Sequence, residues 1–291
     1  MLVLYSADTK WSFEFYGPLA LPNGAPDPHA YLRIFDAFYR GLFESGAQVR
    51  VQHLRQFVAT DAAELARRFP VLVAPAVYVA DDAVLEHLRA YAEAGGHLVV
   101  GIRTGYGDEL ARARLAVAPA LLADAAGVHY EEYSNLEAPL PVEGAIELEA
   151  GAAGTDWVDL LEVDDAEVLA RFAPTELGAD AAVTSRAFGA GRVTYVATVP
   201  NPALGRSLGR WLVPASQRAA WQGGDTVTVS TGRAGASRIV FVSNWSATPT
   251  TVTVPASATD LVSGAAYAAG DEIPLGRRDV VVLEVPDDSA E

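Results

Sequence analysis

Residues 69–109 constrain the fold more than any other part of the chain. They begin with an apolar run at 71–74, continue with apolar residues at helical spacing over 84–91, and reach a second apolar run at 98–100. Runs that are apolar on both faces are typical of strands in a parallel sheet that helices cover. The segment therefore predicts a strand–helix–strand unit of an α/β domain, with a polar turn at the carboxyl end of its second strand.

The ends of the predicted helix carry local signals of their own. Asp81 and Asp82 precede the helical pattern, and aspartate is a favoured N-cap residue that also interacts well with the helix dipole. Gly95 and Gly96 follow it, and glycine tolerates the left-handed conformation in which many helices end. These signals predict a helix that begins after Asp81 and ends before Gly95.

The rest of the chain predicts two domains. Up to 213, strands are expected at 2–5, 49–51, 157–162, 168–172, 181–188 and 192–197, with a hairpin turn at 189–191. Helices are expected from 29 and over 60–68, 115–126 and 201–213. Residues 6–28 are expected to form a long loop rich in aromatic residues. Beyond 214, β-branched alternation with frequent turn signals predicts a small all-β sandwich. We predict an α/β domain at 1–213, a linker at 214–223 and the sandwich at 224–291. The first domain resembles flavodoxin-like and class I glutamine-amidotransferase-like parallel sheets with flanking helices.

Composition limits the partners and the location. The chain has 37 acidic and 21 basic residues among 291, a formal net charge of −16. Such a charge repels phosphate backbones and anionic lipids, so we expect neither nucleic acid nor membrane as a partner. There is no cysteine, which excludes disulfides and thiolate chemistry. Asp8 and Lys10 interrupt the only apolar run near the N-terminus, so we expect a cytoplasmic protein without a signal peptide.

Catalytic motifs are weak. An amidotransferase would need a nucleophile after 98–100, and that turn holds neither cysteine nor serine. None of the five histidines lies in a glycine-flanked turn or at a metal-binding spacing. Asp108 and Glu109 are adjacent, and capping beside Arg103 or Arg112 is the better interpretation of such a pair than acid–base catalysis. We therefore expect no catalytic residue, no metal and no cofactor.

Several passages resemble the family 42 glycoside hydrolases, which are β-galactosidases. LVVAPAVYV, LRAYAEAGGHLVV and TGYGDELAR resemble the middle domain of that family, as do VLYSADTKWSFE and YLRIFDAFYRGLFESGAQVRV near the N-terminus. RIVFVSNWSATPTTVTVP and ATDLVSGAAY resemble its C-terminal β-domain. The resemblance implies a trimerisation domain followed by a C-terminal domain, and hence a homotrimer.

The resemblance also implies what is missing. The catalytic glutamates of that family lie on a barrel before the middle domain, and a barrel needs about 250 residues. We therefore expect a non-catalytic oligomerisation region of a β-galactosidase-like hydrolase of carbohydrate metabolism, inactive alone, with a separate barrel as a further partner. Two alternatives stay open: a stand-alone sugar-binding or assembly protein, and a small-molecule enzyme that uses the strand-end crevice.

Two sets of candidate site residues follow. Ligands of open α/β sheets bind at the carboxyl ends of the strands, so any ligand site is expected there. The resemblance implies a galactoside or other sugar as the ligand, and a solvated rim of caps and turns is the alternative interpretation. The candidate residues of the site are Tyr5, Asp8, Tyr78, Arg103 and Asp108. Exposed aromatic side chains serve subunit contacts and sugar stacking. The 6–28 loop therefore supplies the candidate interface residues Trp11, Phe13, Glu14 and Phe15.

Overall fold

The computed structural model describes residues 1–174, 180–213, 226–235 and 237–286. The chain divides into two compact units. The first comprises Met1–Leu42 and Val49–Leu212, and the second comprises Phe43–Gln48 and Val213–Glu291. The linker predicted at 214–223 lies outside the described residues, so the predicted domain bounds stay a prediction.

Four short strands form the parallel part of the first unit. They are β1 (Leu2–Tyr5), β2 (Arg50–His53), β3 (Val71–Ala74) and β4 (His97–Val100). They pair in the order β2-β1-β3-β4, and every pairing is parallel. All of β3 and three residues of β1 and of β4 are buried, because these apolar strands lie inside the domain. The predicted α/β class is confirmed.

Among the described residues up to 213, four α-helices agree with the predicted positions and three do not. The helices are α1 (Ala7–Tyr16), α2 (Ala30–Glu44), α3 (Leu54–Val58), α4 (Ala62–Arg68), α5 (Asp82–Glu93), α6 (Ala123–Ala126) and α7 (Pro202–Leu212). The side chain of Asp81 accepts a hydrogen bond from the backbone N–H of Val84 at 2.8 Å, which confirms the predicted cap. The apolar face of α5 buries Leu85, Leu88 and Tyr91.

The sheet continues beyond its parallel part. The strands that follow are β5 (Val128–His129), β6 (Tyr133–Asn135), β7 (Leu140–Gly144), β8 (Ala153–Asp159), β9 (Glu162–Val163), β10 (Glu167–Phe172), β11 (Ala181–Phe188), β12 (Gly191–Val196) and β13 (Thr198–Pro200). β12 lies parallel to β4, and antiparallel pairings then run through β11, β10, β7, β8 and β13. The result is a mixed sheet rather than a parallel one. The predicted hairpin turn at 189–191 is confirmed by the antiparallel pairing of β11 with β12.

The second unit is antiparallel in the residues described. Its strands are β14 (Val227–Ala234), β15 (Ser237–Asn244), β16 (Thr250–Thr253), β17 (Ala258–Asp260), β18 (Ala266–Tyr267), β19 (Glu272–Leu275) and β20 (Val280–Pro286). The order β14-β15-β20-β17-β18 forms one sheet and β16-β19 a second. Val240 and Leu283 of the first sheet share a buried cluster with Val252 and Ile273 of the second. A separate, small antiparallel β-region is therefore present, as predicted.

Two local predictions were wrong. The segment 6–28 was expected to be a loop, but it contains helix α1, whose N-cap Ser6 accepts a hydrogen bond from Thr9 N–H. Only Thr9 and Phe13 of α1 are buried. Because so few of its residues face the core, the sequence of α1 does not show apolar residues repeating at helical spacing. The helix predicted over 115–126 is a 3₁₀ turn at Ala120–Leu122 followed by α6. Residues 115–119 are not helical, and Pro119 disfavours a helical backbone before it.

Helices α2 and α7 approach each other through two glycines. A Cβ atom built on Gly41 would lie 2.5 Å from the carbonyl carbon and 2.6 Å from the Cα of Gly205. Both neighbouring atoms belong to the backbone, so a rotamer change cannot relieve the overlap. The contact therefore depends on the absence of a side chain at Gly41.

We predict that Gly41→Ala lowers the free energy of unfolding by about 1–3 kcal/mol, the range of overpacked cores. Helix propensity alone would give the opposite sign, since alanine is better than glycine in a helix by about 1 kcal/mol. Urea unfolding followed by circular dichroism measures the change. Asp36→Ala, at an exposed position of the same helix, is the control and should change stability by less than about 0.5 kcal/mol. A stabilised Gly41→Ala variant would contradict the contact.

Candidate functional site

The loops that follow β1, β3 and β4 are tied together by two threonines. The hydroxyl of Thr9 accepts a hydrogen bond from Val79 N–H at 3.0 Å, which joins α1 to the loop after β3. The hydroxyl of Thr104 accepts one from Val77 N–H at 3.1 Å, which joins the loop after β4 to the same segment. Both threonines are fully buried. Because satisfied buried hydrogen bonds hold a fixed geometry, this edge of the sheet is a rigid platform.

The turn after β4 has an unusual backbone. A Cβ atom on Gly101 would lie 2.0 Å from the carbonyl oxygen of Pro75, so only glycine fits at this position. Two residues later, Arg103 has a φ of 54°, in the left-handed region that residues other than glycine rarely adopt. Strain of this kind costs roughly 1–3 kcal/mol and persists where surrounding contacts enforce it. The turn thus fixes the direction in which Arg103 leaves the backbone.

The guanidinium of Arg103 is surrounded by four aromatic rings, here called the aromatic cage. Its central carbon lies 4.3 Å from the ring centroid of Tyr106, 4.7 Å from that of Tyr133, 5.1 Å from that of Tyr78 and 5.2 Å from that of Trp157. All four distances are within the range of cation–π attraction. The rings therefore help to hold a guanidinium that forms no direct ion pair with any described residue.

The rings of the aromatic cage also pack against one another. Tyr78 and Tyr106 stack with centroids 6.0 Å apart, and Tyr133 and Trp157 stack at 5.0 Å. The hydroxyls of Tyr106 and Tyr133 are 3.3 Å apart. Trp157 is only 3% exposed, whereas Tyr133 is 38% exposed. One side of the cage is therefore part of the core, and the Tyr133 side opens to solvent.

A buried carboxylate lies beneath the aromatic cage. Asp159, which is fully buried, accepts hydrogen bonds from Trp157 Nε1 at 2.9 Å, from the Tyr195 hydroxyl at 2.9 Å and from the backbone N–H of Arg103 at 3.1 Å. Burial raises the pKa of Asp159 to about 6, and these hydrogen bonds and the charge of Arg103 oppose the rise only in part. The carboxylate connects β8, β12 and the turn that carries Arg103.

The terminal N–H groups of Arg103 differ from those of Arg33, Arg112 and Arg114, which each pair with an aspartate. In the part of the chain that the structure describes, the Nε of Arg103 is buried without a hydrogen-bond partner. By contrast, Arg33 bridges Asp27 and Asp156 at 2.8 and 2.7 Å, and Arg112 pairs with Asp108 at 2.8 Å. A guanidinium is a strong donor fork for carboxylates. The guanidinium of Arg103 is therefore held in place while some of its N–H donors have no partner among the described residues.

The structure brings together three of the five predicted ligand residues. Tyr78 contacts Arg103 through the aromatic cage, and Asp108 lies close enough to Tyr78 to affect its pKa, which burial raises. Asp108 also accepts hydrogen bonds from the N–H groups of Leu110 and Arg112, so it caps a turn rather than a helix.

The other two predicted ligand residues lie elsewhere. The ring of Tyr5 packs edge-on against Tyr31 and Phe35, and Asp8 lies in the first turn of α1. The proposal that the five residues bind a sugar stays a prediction.

The four predicted interface residues all lie on α1 but differ in exposure. Trp11 is 55% and Phe15 86% exposed, whereas Phe13 is buried, with its ring 5.2 Å from that of Tyr78. Glu14 forms an i,i+4 ion pair with Lys10. Tyr16, the last residue of α1, is 82% exposed. The surface of α1 is thus aromatic, and its buried ring connects it to the aromatic cage.

Sequence reasoning missed most of the aromatic cage. Tyr106 lies in the strand-end turn and belongs to the pattern that suggested Arg103. Tyr133 and Trp157 reach the site because β6 pairs with β8 in a register that sets Asn135 against Trp157. The alternation Trp157-x-Asp159 places both side chains on one face of a strand, and this was the one local signal available.

The described residues contain neither a metal-binding cluster nor a membrane-spanning helix. Among them, no group of three or more His, Asp or Glu side chains is arranged to hold a metal ion. No described helix is both long enough and apolar enough to cross a membrane. His97, one of the histidines expected to be structural, is paired with the Thr194 hydroxyl at 2.8 Å.

Comparison with known families decides the relationship. The sequence profile of the β-galactosidase trimerisation domain matches residues 2–217, and that of the β-galactosidase C-terminal domain matches residues 227–284. The chain belongs to glycoside hydrolase family 42. The resemblance seen in the sequence is therefore confirmed for both parts of the chain.

Individual relatives agree with this assignment. β-Galactosidase LacZ of Heyndrickxia coagulans is 26% identical over 288 residues, which are 97% of this chain and 41% of the relative. A β-galactosidase of an Arthrobacter species is 29% identical over 234 residues, which are 80% of this chain and 32% of the relative. The chain thus spans less than half the length of these relatives.

Solved structures show the same fold. A β-galactosidase from Bacillus circulans sp. alkalophilus matches with a TM-score of 0.82 and 20% identity, over 98% of this chain and 41% of that one. A cold-adapted β-galactosidase from Rahnella sp. R3 gives a TM-score of 0.82 at 20% identity, over 98% of this chain and 40% of that one.

We predict that the side-chain carboxyl of Asp159 titrates near pH 6, which carbon-13 NMR of the carboxyl carbon would measure. A folded pKa raised from 3.8 to about 6 stabilises the fold fully below about pH 4, and this contribution is lost as the pH rises through 6. A titration midpoint of Asp159 at or below about pH 4 would show that its hydrogen bonds and the charge of Arg103 fully offset the effect of burial, and would contradict the prediction.

Bulk stability alone would hide this effect. Burial lowers the pKa of His97 from 6.5 to about 4, so its contribution is present above pH 6.5 and is lost as the pH falls towards 4. The two groups act with opposite signs in the same window. Comparing wild type with Asp159→Asn at pH 4.5 and pH 7 isolates the aspartate, and the stability advantage of wild type should be larger at pH 4.5.

Proposed function

We propose that this chain is the self-associating, non-catalytic part of a β-galactosidase-like glycoside hydrolase of carbohydrate metabolism. The observation that carries the proposal is the match of residues 2–217 to the β-galactosidase trimerisation domain, continued by the C-terminal domain at 227–284. On this proposal the assembly is a homotrimer, and a catalytic barrel is its natural partner. The cytoplasmic location and the division at 214–223 belong to the same proposal.

We further propose that the first unit has a flavodoxin-like, class I glutamine-amidotransferase-like sheet. The order β2-β1-β3-β4-β12 of its parallel strands supports this, because 2-1-3-4-5 is the strand order of flavodoxin-like folds. The antiparallel strands beyond β12 are additions to that plan.

An exposed apolar surface supports self-association. Trp11, Phe15 and Tyr16 of α1, together with Leu110 and Leu115 of the turn after β4, are 55–105% exposed. We call these five residues the edge surface. Large exposed aromatic side chains are enriched at subunit contacts.

The carboxylates at the strand ends support a non-catalytic role. Glycosidases place two carboxyl groups about 5–9.5 Å apart on opposite sides of the sugar. Here Asp108 is bound to Arg112, and Asp159 is buried beneath the aromatic cage with no exposed surface. Neither carboxyl is available to a glycosidic bond.

We predict that the chain of 291 residues does not hydrolyse galactosides by itself, because Asp108 is paired with Arg112 and Asp159 is buried, so neither can act with a second carboxyl group across a glycosidic bond. A chromogenic β-galactoside assay at high protein concentration tests this, with a full-length family 42 β-galactosidase as the positive control. Turnover above a heat-inactivated sample, abolished by a Glu→Gln substitution in this chain, would contradict the non-catalytic role.

We predict that the chain forms a trimer, with a mass by light scattering three times that of the monomer. Phe15→Ser should raise the concentration of half-assembly by about tenfold or more, the effect expected for an aromatic side chain that loses its burial. Val262→Ser, at an 82% exposed position of the second unit, is the matched control and should leave assembly unchanged. A strict monomer at high micromolar concentration would remove self-association as the function.

A further inference from the structure

The aromatic cage poses a problem of charge. The chain carries 37 acidic residues and only 21 basic ones. An ion pair with a carboxylate is therefore expected for most of its arginines. Arg33, Arg112 and Arg186 each form ion pairs at 2.7–2.8 Å. Arg103 forms none with any residue that the structure describes, although four rings hold it in place.

Three features show that the position of the Arg103 side chain is fixed by the surrounding structure. The backbone of Arg103 is left-handed, the N–H of that residue is held by the buried Asp159, and the side-chain Nε is buried without a partner among the described residues. A strained backbone with an unsatisfied buried donor is typical of a functional position. The rings lie within cation–π distance of the guanidinium. The Nε is buried, so the terminal Nη groups, which have no ion-pair partner among the described residues, are the donors left for a ligand.

The chemistry of that edge selects the ligand. A guanidinium binds a carboxylate through two parallel N–H···O bonds, and its planar fork is already oriented here. Because the side chain is immobilised before binding, little further conformational entropy is lost on contact. The complement of Arg103 is therefore a carboxylate.

Two further observations select a second copy of the chain as the source of that carboxylate. Phe13 of α1 packs against Tyr78, and Tyr16 lies close enough to Tyr78 to affect its pKa, so the edge surface adjoins the aromatic cage. Two copies with a formal charge of −16 each repel one another, so their contact favours a site where an acidic side chain meets a fixed cation. Glu109, in the same turn, is an example of an exposed carboxylate that a copy presents.

We propose that Arg103, held in the aromatic cage, binds a carboxylate side chain of a second copy of this chain. The proposal rests on the proposed self-association and names one contact within it. Arginine flanked by aromatic rings is typical of the residues that dominate subunit interfaces. Arg103 is thus expected to fix the register of the assembly, while the edge surface contributes apolar area.

Sedimentation equilibrium over a wide concentration range tests the proposal. Arg103→Gln should raise the concentration of half-assembly by about tenfold or more, as for the loss of a charge-assisted hydrogen bond. Arg103→Lys retains the charge but loses the fork, so it should also weaken assembly, to a smaller degree. Arg112→Gln is the control, because it changes the net charge equally and removes an exposed pair in the same turn; it should have less than about a threefold effect.

The outcomes separate the two proposals. A wild-type chain that stays monomeric would overturn self-association, and this contact with it. A wild-type chain that assembles, with Arg103→Gln and Arg103→Lys assembling equally well, would overturn only the role of Arg103. Circular dichroism establishes that each variant is folded. If Arg103→Gln does not fold, Arg103→Lys compared with Arg112→Gln still decides the question.

Discussion

The carboxylate of Asp159 is the interaction on which the candidate site depends. It accepts three hydrogen bonds that come from two strands and from the turn after β4. Removing such a carboxylate would leave a buried tyrosine hydroxyl, an indole N–H and a backbone N–H without partners, and each unsatisfied group is destabilising by about 1–3 kcal/mol. Its raised pKa reflects the same burial. The left-handed turn of Arg103 is therefore maintained from beneath, by the core of the sheet.

The parts of the fold that follow from local physics could be predicted from the sequence. The apolar runs at 71–74 and 98–100 are strands, and the capping role of Asp81 is observed. Helix α1 was missed because its aromatic side chains face outwards, as Phe15 at 86% exposure illustrates. A helix that presents apolar residues to a surface of the protein does not show the polar and apolar faces by which helices are recognised.

The candidate site was predictable only along the strand ends. Tyr78 and Arg103 follow neighbouring parallel strands, and the rule that sites form at carboxyl ends places them together. Tyr133 and Trp157 arrive through the pairing of β6 with β8, which lies on the antiparallel side of the sheet. Such pairings depend on long-range topology, and nothing in the residues around Tyr133 specifies its distance from Arg103. These two rings of the aromatic cage were therefore hidden from sequence reasoning.

The aromatic cage also explains how one arginine can be both ordered and available. Arg33 is ordered because its N–H groups bind Asp27 and Asp156, and those donors are thereby occupied. Arg103 is ordered through the rings around its guanidinium, because ring contacts at 4.3–5.2 Å require no N–H group. Cation–π contacts contribute about 0.5–2 kcal/mol each, depending on desolvation, so the rings can order the guanidinium without an ion pair. In a chain with so many carboxylates, ring contacts order the guanidinium of Arg103 without an ion pair to a described carboxylate of the same chain. Its terminal N–H groups therefore stay available to a carboxylate of a second copy.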